Sequence, residues 1–140
     1  MRALAPIVAA TLLACAGCRS ADTAAPTAVR AEPAAASVDE VARALAAGSW
    51  RAVDANSNLV RRRMGTLPGA VLLSDPFEFT AAELPADPAQ PLVFYCSNDA
   101  CSASHEAAAR AIALGHTHVE VMPDGIAGWV SAGKQTQRQL

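Results

Sequence analysis

Leu92-Val93-Phe94-Tyr95 is an uninterrupted apolar run that ends on a cysteine, Cys96. Four such residues without polar alternation are the pattern of a strand buried on both faces. A strand of that kind needs helices on either side, which restricts the chain to α/β layers. The next regular segment supplies one of them. Ser104 to Leu114 (SHEAAARAIAL) is alanine-rich, opens on serine and is stopped by Gly115.

The neighbouring segments follow the same alternation. Val38 to Ala47 carries apolar residues at 38, 41, 42, 45 and 46, with Ser37 as N-cap and Gly48 as stop. Trp50 to Ala55 reads as a short strand ending near Asp54, and Ser57 to Met64 as a helix that displays Arg61, Arg62 and Arg63 to solvent. Gly65-Thr66-Leu67-Pro68-Gly69 is a turn. Ala70 to Leu73 is a short strand, and Asp75 to Asp87 a proline-punctuated loop. His118 to Met122 alternates into a further strand, and Ile126 to Ala132 forms a last helix whose Trp129 packs on the core. Strands alternating with helices predict a parallel sheet covered on both faces.

Composition narrows what such a fold could serve. A chain of 140 residues with net charge −2 has no basic footprint for nucleic acid. Alanine accounts for 34 residues, so the hydrophobic fraction of 52% overstates the bulk available to a core. The four cysteines fall as two tight pairs, Cys15 with Cys18 and Cys96 with Cys101, rather than as a disulfide framework.

The first pair belongs to an address. Residues 1–18 (MRALAPIVAATLLACAGC) combine an early Arg, an apolar stretch and small residues before cysteine, the layout of a signal peptide. Leu12-Leu13-Ala14-Cys15 resembles a bacterial lipobox, and Cys18 after Ala16-Gly17 is the alternative acylation site. A diacylglyceryl thioether plus an N-acyl chain on the one acylated cysteine would give stable anchoring where one chain is marginal. The expectation is a cell-envelope lipoprotein facing the periplasm, with a soluble exported protein as the alternative. Residues 19–37 are rich in Ala, with Pro26 and Pro33, and read as an extended, disordered tether. The folded unit is expected over residues 38–140.

The second pair carries the chemistry. In parallel α/β sheets ligands sit beyond the C-terminal strand ends. Cys96 occupies such an end, followed by Ser97, Asn98, Asp99, Ala100, Cys101, Ser102 and Ala103 before the helix. Loop amides and a helix N-terminus there would stabilise a thiolate on Cys96 and cradle an anion. Cys101 has three open readings. It resolves a persulfide or sulfenate on Cys96 as a disulfide, joins His105 as a soft metal ligand, or points into the core. His105, at the helix start, is a candidate to tune Cys96. Two cysteines and one histidine fall short of the four ligands of a structural zinc site. His116 and His118 lack a third ligand.

Several pieces in order resemble the rhodanese-like domain family. Asp54-Ala55-Asn56 is similar to its Asp-x-Arg, with Asn56 in place of Arg. Gly65-Thr66-Leu67-Pro68-Gly69-Ala70 is similar to its Gly-His-Ile-Pro-Gly-Ala, with Thr66 in place of His. Leu92 to Cys96 resembles the strand entering the family's catalytic cysteine. Asp124-Gly125-Ile126-Ala127-Gly128-Trp129 resembles its Gly-Gly-Ile-x-x-Trp. The resemblance implies a five-stranded parallel sheet flanked by helices, and sulfur transfer through a persulfide on Cys96 without an organic cofactor. It implies a small sulfur donor and a thiol acceptor as partners, and a monomer. Seven residues separate Cys96 from Ser104, where the family has about five, so a longer loop is expected. Ser102 stands where phosphatases of this fold carry the Arg of Cys-x5-Arg. The function class set against sulfur transfer is a non-catalytic module that binds a thiophilic metal or a protein partner through Cys96 and Cys101.

Overall fold

A computed structural model describes residues 32–138. The signal peptide and both candidate acylation sites, Cys15 and Cys18, lie outside the described residues. Five parallel strands form one sheet in the order β1-β5-β4-β2-β3. They are β1 (Ala34–Ala35), β2 (Arg51–Asp54), β3 (Val71–Leu72), β4 (Leu92–Tyr95) and β5 (Val119–Met122). The helices are α1 (Val38–Ala46), α2 (Asn58–Met64), α3 (Ala103–Ala113) and α4 (Gly125–Ser131), with a 3-10 turn at Ala81–Glu83.

The apolar run behaves as its pattern requires. All four residues of β4 are buried, and β4 lies centrally between β2 and β5. Its side chains alternate between two cores. Leu92, Phe94 and Cys96 join Val53, Ala55, Leu73, Phe79 and Val121 on the α3 face. Val93 and Tyr95 join Val41, Ala52, Leu67, Met122, Ile126 and Trp129 on the other face.

Alanine finds its use on the α3 face. Ala107, Ala108 and Ala111 are fully buried there. Their small side chains let the helix backbone lie close over β4 and β5. The open flank of that core is closed by Phe79. Arg110 donates from Nε to the Phe79 carbonyl at 2.7 Å, and its guanidinium sits 5.4 Å from the ring centroid.

One boundary shifts from the sequence reading. The sheet begins inside the segment read as a tether: Ala34 and Ala35 pair with Glu120 and Val121, and Ala36 is buried. A two-residue edge strand of alanines has no hydrophobic period to reveal it. At the other end, the polar tail returns to the fold. Thr66 and Gln137 exchange backbone hydrogen bonds of 2.9 and 2.8 Å, and Trp129 donates from Nε1 to the Gln135 carbonyl at 2.9 Å. Trp129 is core, as its helical position predicts. Among the described residues no helix is long and apolar enough to cross a membrane.

Candidate active site

β4 ends at Tyr95, so Cys96 is the first residue beyond the strand, and its side chain continues the alternation onto the α3 face. Two backbone contacts hold this point of the chain. The N–H of Ile126 donates to the Cys96 carbonyl at 2.8 Å, and that of Ala127 to the Ser97 carbonyl at 3.0 Å. The first residue of α4, Gly125, makes this approach possible. It has φ +59, and a Cβ there would stand 2.5 Å from the Cys96 carbonyl oxygen.

The loop itself is short. α3 begins at Ala103 with Ser102 as its N-cap, so five residues, Ser97 to Cys101, separate Cys96 from the cap. Seven residues, Ser97 to Ala103, lie between Cys96 and Ser104, whose Oγ reaches to 3.3 Å of the Cys96 sulfur. Asn98 organises the turn: its Oδ1 accepts from the Ala100 N–H at 3.1 Å and its carbonyl from the Cys101 N–H at 3.1 Å. Asn98, Asp99, Ala100 and Ser102 are exposed, Ser97, Cys101 and Ala103 half-buried.

The surroundings of the two sulfurs differ in kind. Cys96 is 1% exposed. Its Sγ donates to the Cys101 carbonyl at 3.1 Å, faces the Asn98 carbonyl at 3.9 Å and lies 3.3 Å from Ser104 Oγ. Carbonyl oxygens suit a protonated thiol and oppose a thiolate. Burial pushes the Cys96 thiol up, the Cys101 sulfur adds to this, and Ser104 offsets only part of it. At Cys101 the balance falls the other way. Its burial opposes ionisation, but the Cys96 thiol and the N–H groups of Ser97 and Ala103 outweigh it, and Cys101 lies below the ordinary thiol value. Backbone N–H groups thus favour ionisation at both sulfurs, that of Ser104 at Cys96 and those of Ser97 and Ala103 at Cys101, and burial outweighs them only at Cys96. Both are free thiols.

The remaining candidates divide. His105 is exposed on α3 and no hydrogen bond ties it to either sulfur. His116 is buried while His118 is exposed and meets Thr117 Oγ1 at 3.1 Å, so they do not share an environment. Among the described residues no group of three or more His, Cys, Asp or Glu is arranged to hold a metal ion. A cavity of about 420 Å³ lined by Trp50, Trp129, Arg51 and Lys134 shares no residue with the Cys96 loop.

On the opposite face, directly behind the site, lies a polar network that the sequence reading missed. Asp54 is fully buried at the end of β2. Its Oδ2 accepts from the Tyr95 hydroxyl at 2.6 Å, and its Oδ1 from the Asn56 N–H at 2.7 Å and Arg61 Nε at 3.3 Å. Arg61 also donates from one terminal nitrogen to the carbonyls of Asp54 at 2.9 Å and Leu73 at 3.0 Å, and from the other to Asn58 Oδ1 at 3.3 Å. Tyr95 accepts from the Leu67 N–H at 3.0 Å, and burial holds its hydroxyl proton far above the ordinary range. Arg61 is thus not part of a solvated face; at 7% exposure it is the cation that Asn56 does not supply. The signal was present in Asp54 lacking its Arg two residues on, with a helix carrying arginines immediately after.

A central strand ending in a cysteine, a five-residue loop and a covering helix on a five-stranded parallel sheet define a class of cysteine-loop domains. The model of the Rhodanese-like domain matches residues 37–132, and the chain belongs to that family. A human single-domain sulfurtransferase is 22% identical with TM-score 0.56, covering 69% of this chain and 95% of its own. A protein of unknown function from Rhodopseudomonas palustris is 21% identical with TM-score 0.61, covering 75% and 85%. A thiosulfate sulfurtransferase from Pseudomonas aeruginosa is 21% identical with TM-score 0.60, covering 77% of this chain and 21% of that longer one. No curated protein matches.

Proposed function

We propose that this protein is an exported, lipid-anchored carrier of sulfane sulfur, monomeric in its working form, which holds that sulfur as a persulfide on Cys96. The observation that carries the reading is the position of Cys96. It lies past the end of the central strand, beneath a loop whose Cys101 carbonyl stands 3.1 Å from its sulfur. Rhodanese-fold relatives include sulfurtransferases, and a persulfide needs no organic cofactor.

The chemistry is an exchange of one sulfur between thiols. A donor R–S–SH and Cys96–SH give R–SH and Cys96–S–SH, and an acceptor thiol later takes the outer sulfur by the same exchange. The loop contains no Arg or Lys and carries Asp99. A doubly charged donor such as thiosulfate meets no cation there, so persulfides and polysulfides suit the loop better. The test is persulfide-selective labelling after polysulfide exposure. Mapped by peptide mass spectrometry, label is expected on Cys96 in the unaltered protein; label that never reaches Cys96 at full loading defeats the proposal. Mass spectrometry of the protein isolated from membranes checks the anchor, through an acyl mass on Cys15 or Cys18.

A further inference from the structure

The proposed carrier poses a problem of access. Cys96 is 1% exposed, packed among Val53, Phe94 and Ala107, with Ser104 and the carbonyls of Asn98 and Cys101 around its sulfur. A donor molecule cannot bring its own sulfur into line with Cys96 Sγ while the loop stays as it is. Cys101 occupies the loop above it, half-buried, with its carbonyl 3.1 Å from the Cys96 sulfur.

We propose that sulfane sulfur enters through Cys101 and is then passed inward to Cys96, so that the loop holds a two-thiol relay with the outer cysteine as the port. This rests on the sulfur-transfer reading of the site and names the residue that meets the donor. In the first step the Cys101 thiolate attacks the outer sulfur of a persulfide donor R–S–SH. A bond forms between Cys101 Sγ and that sulfur, and the donor's S–S bond breaks. The thiolate R–S⁻ leaves with the electron pair, and the loop holds Cys101–S–SH. In the second step Cys96 Sγ attacks the same outer sulfur and gives Cys96–S–SH. The broken bond returns its electron pair to Cys101, and the Cys96 proton goes to solvent, where R–S⁻ takes up its equivalent. No net oxidation occurs.

The direction of transfer follows from the two environments. The leaving thiolate on Cys101 is received by the Ser97 and Ala103 N–H groups, and a weaker base leaves faster. Burial sets the same order: the half-buried Cys101 meets the donor, and sulfur passed on to the 1% exposed Cys96 is covered by the loop. Neighbouring thiols in one loop also gain from high effective concentration. Entry and storage are thus divided between a half-buried thiol and a buried one.

The experiment follows persulfide loading of the full chain with an isotopically labelled polysulfide, quenched by alkylation at short times and mapped by peptide mass spectrometry. In the unaltered protein label is expected on Cys101 first and on Cys96 later. In Cys101→Ser, loading of Cys96 should slow by at least about tenfold while reaching the same final occupancy, since the depressed-pKa attacking thiol is gone. In Cys96→Ser, label should remain on Cys101. Loading of Cys96 at the unaltered rate in Cys101→Ser overturns the relay and leaves the Cys96 carrier standing. No label on either cysteine of the unaltered protein overturns both. A measurement without substitution guards against misfolded variants: iodoacetamide at pH 7 should modify Cys101 at least about tenfold faster than Cys96. Modification of Cys96 first overturns the relay.

Discussion

Tyr95 and Cys96 are adjacent in the chain and point to opposite faces of the sheet, and their surroundings could hardly differ more. Behind the sheet, the Tyr95 hydroxyl, Asp54 and Arg61 form a closed set in which a buried carboxylate receives three donors and a buried guanidinium reaches two backbone carbonyls and two side chains. In front, the Cys96 thiol donates to loop carbonyls that suit only its protonated form, beside a second thiol with the opposite preference. One face spends its polar groups on fixing three elements, β2, α2 and β4, to one another. The other leaves its protons exchangeable. The first set ties down the strand end that carries both residues.

The largest effect should come from breaking the closed side. Arg61→Ala leaves Asp54 buried without its cation, and such a removal typically costs about 3–5 kcal/mol. The expected result is a large drop in the urea midpoint. A loss under ~1 kcal/mol would mean that the network is not what anchors the strand end.

Next comes the contact between the two sides. Gly125→Ala places a Cβ against the Cys96 carbonyl at a positive φ, which should cost about 1–3 kcal/mol and push the loop away from α4. Thermal melting measures the first consequence. The second appears as faster alkylation of Cys96 in the folded protein, because the buried thiol loses its cover.

The smallest effect sharpens the reactive side alone. Folding favours the thiol form of Cys96, whose pKa is raised, so that contribution is full below pH 9 and lost as pH rises beyond it. Folding favours the thiolate form of Cys101, whose pKa is lowered, so that contribution has the opposite sign and offsets the first. Cys101→Ser removes the offset while burial still acts on Cys96. The variant should lose stability more steeply between pH 8 and 10 than the unaltered protein, by at most about 1.4 kcal/mol per pH unit for one proton. Identical slopes in denaturant titrations would contradict the assigned split between the thiols.

Much of this was legible in residue order. The run Leu92 to Tyr95, the alanine helix, the serine caps at Ser37 and Ser57 and the strand-end cysteine each declare their element by period or capping chemistry. The parts that were not legible depend on direction rather than pattern. Nothing in the loop sequence tells which cysteine is buried and which half-buried. That follows from Cys96 continuing the pleat of β4 while Cys101 falls in the turn. Arg61 was hidden for a similar reason. In a row of three arginines, only the helix phase set by Ser57 shows which one turns inward, and the neighbours Arg62 and Arg63 are indeed exposed. Ser104 was assigned as a cap and proves to be a fully buried neighbour of Cys96, because the helix starts one residue earlier.

The edge strand β1 has a consequence for orientation. It runs parallel to β5, so the chain enters the sheet at the end where the strands begin, close to Gly115, His116 and Thr117. The thiol loop lies at the end where they finish. The chain's entry into the sheet and the thiol loop therefore occupy opposite ends of the strands, so that whatever precedes Ala34 joins the domain away from the two sulfurs.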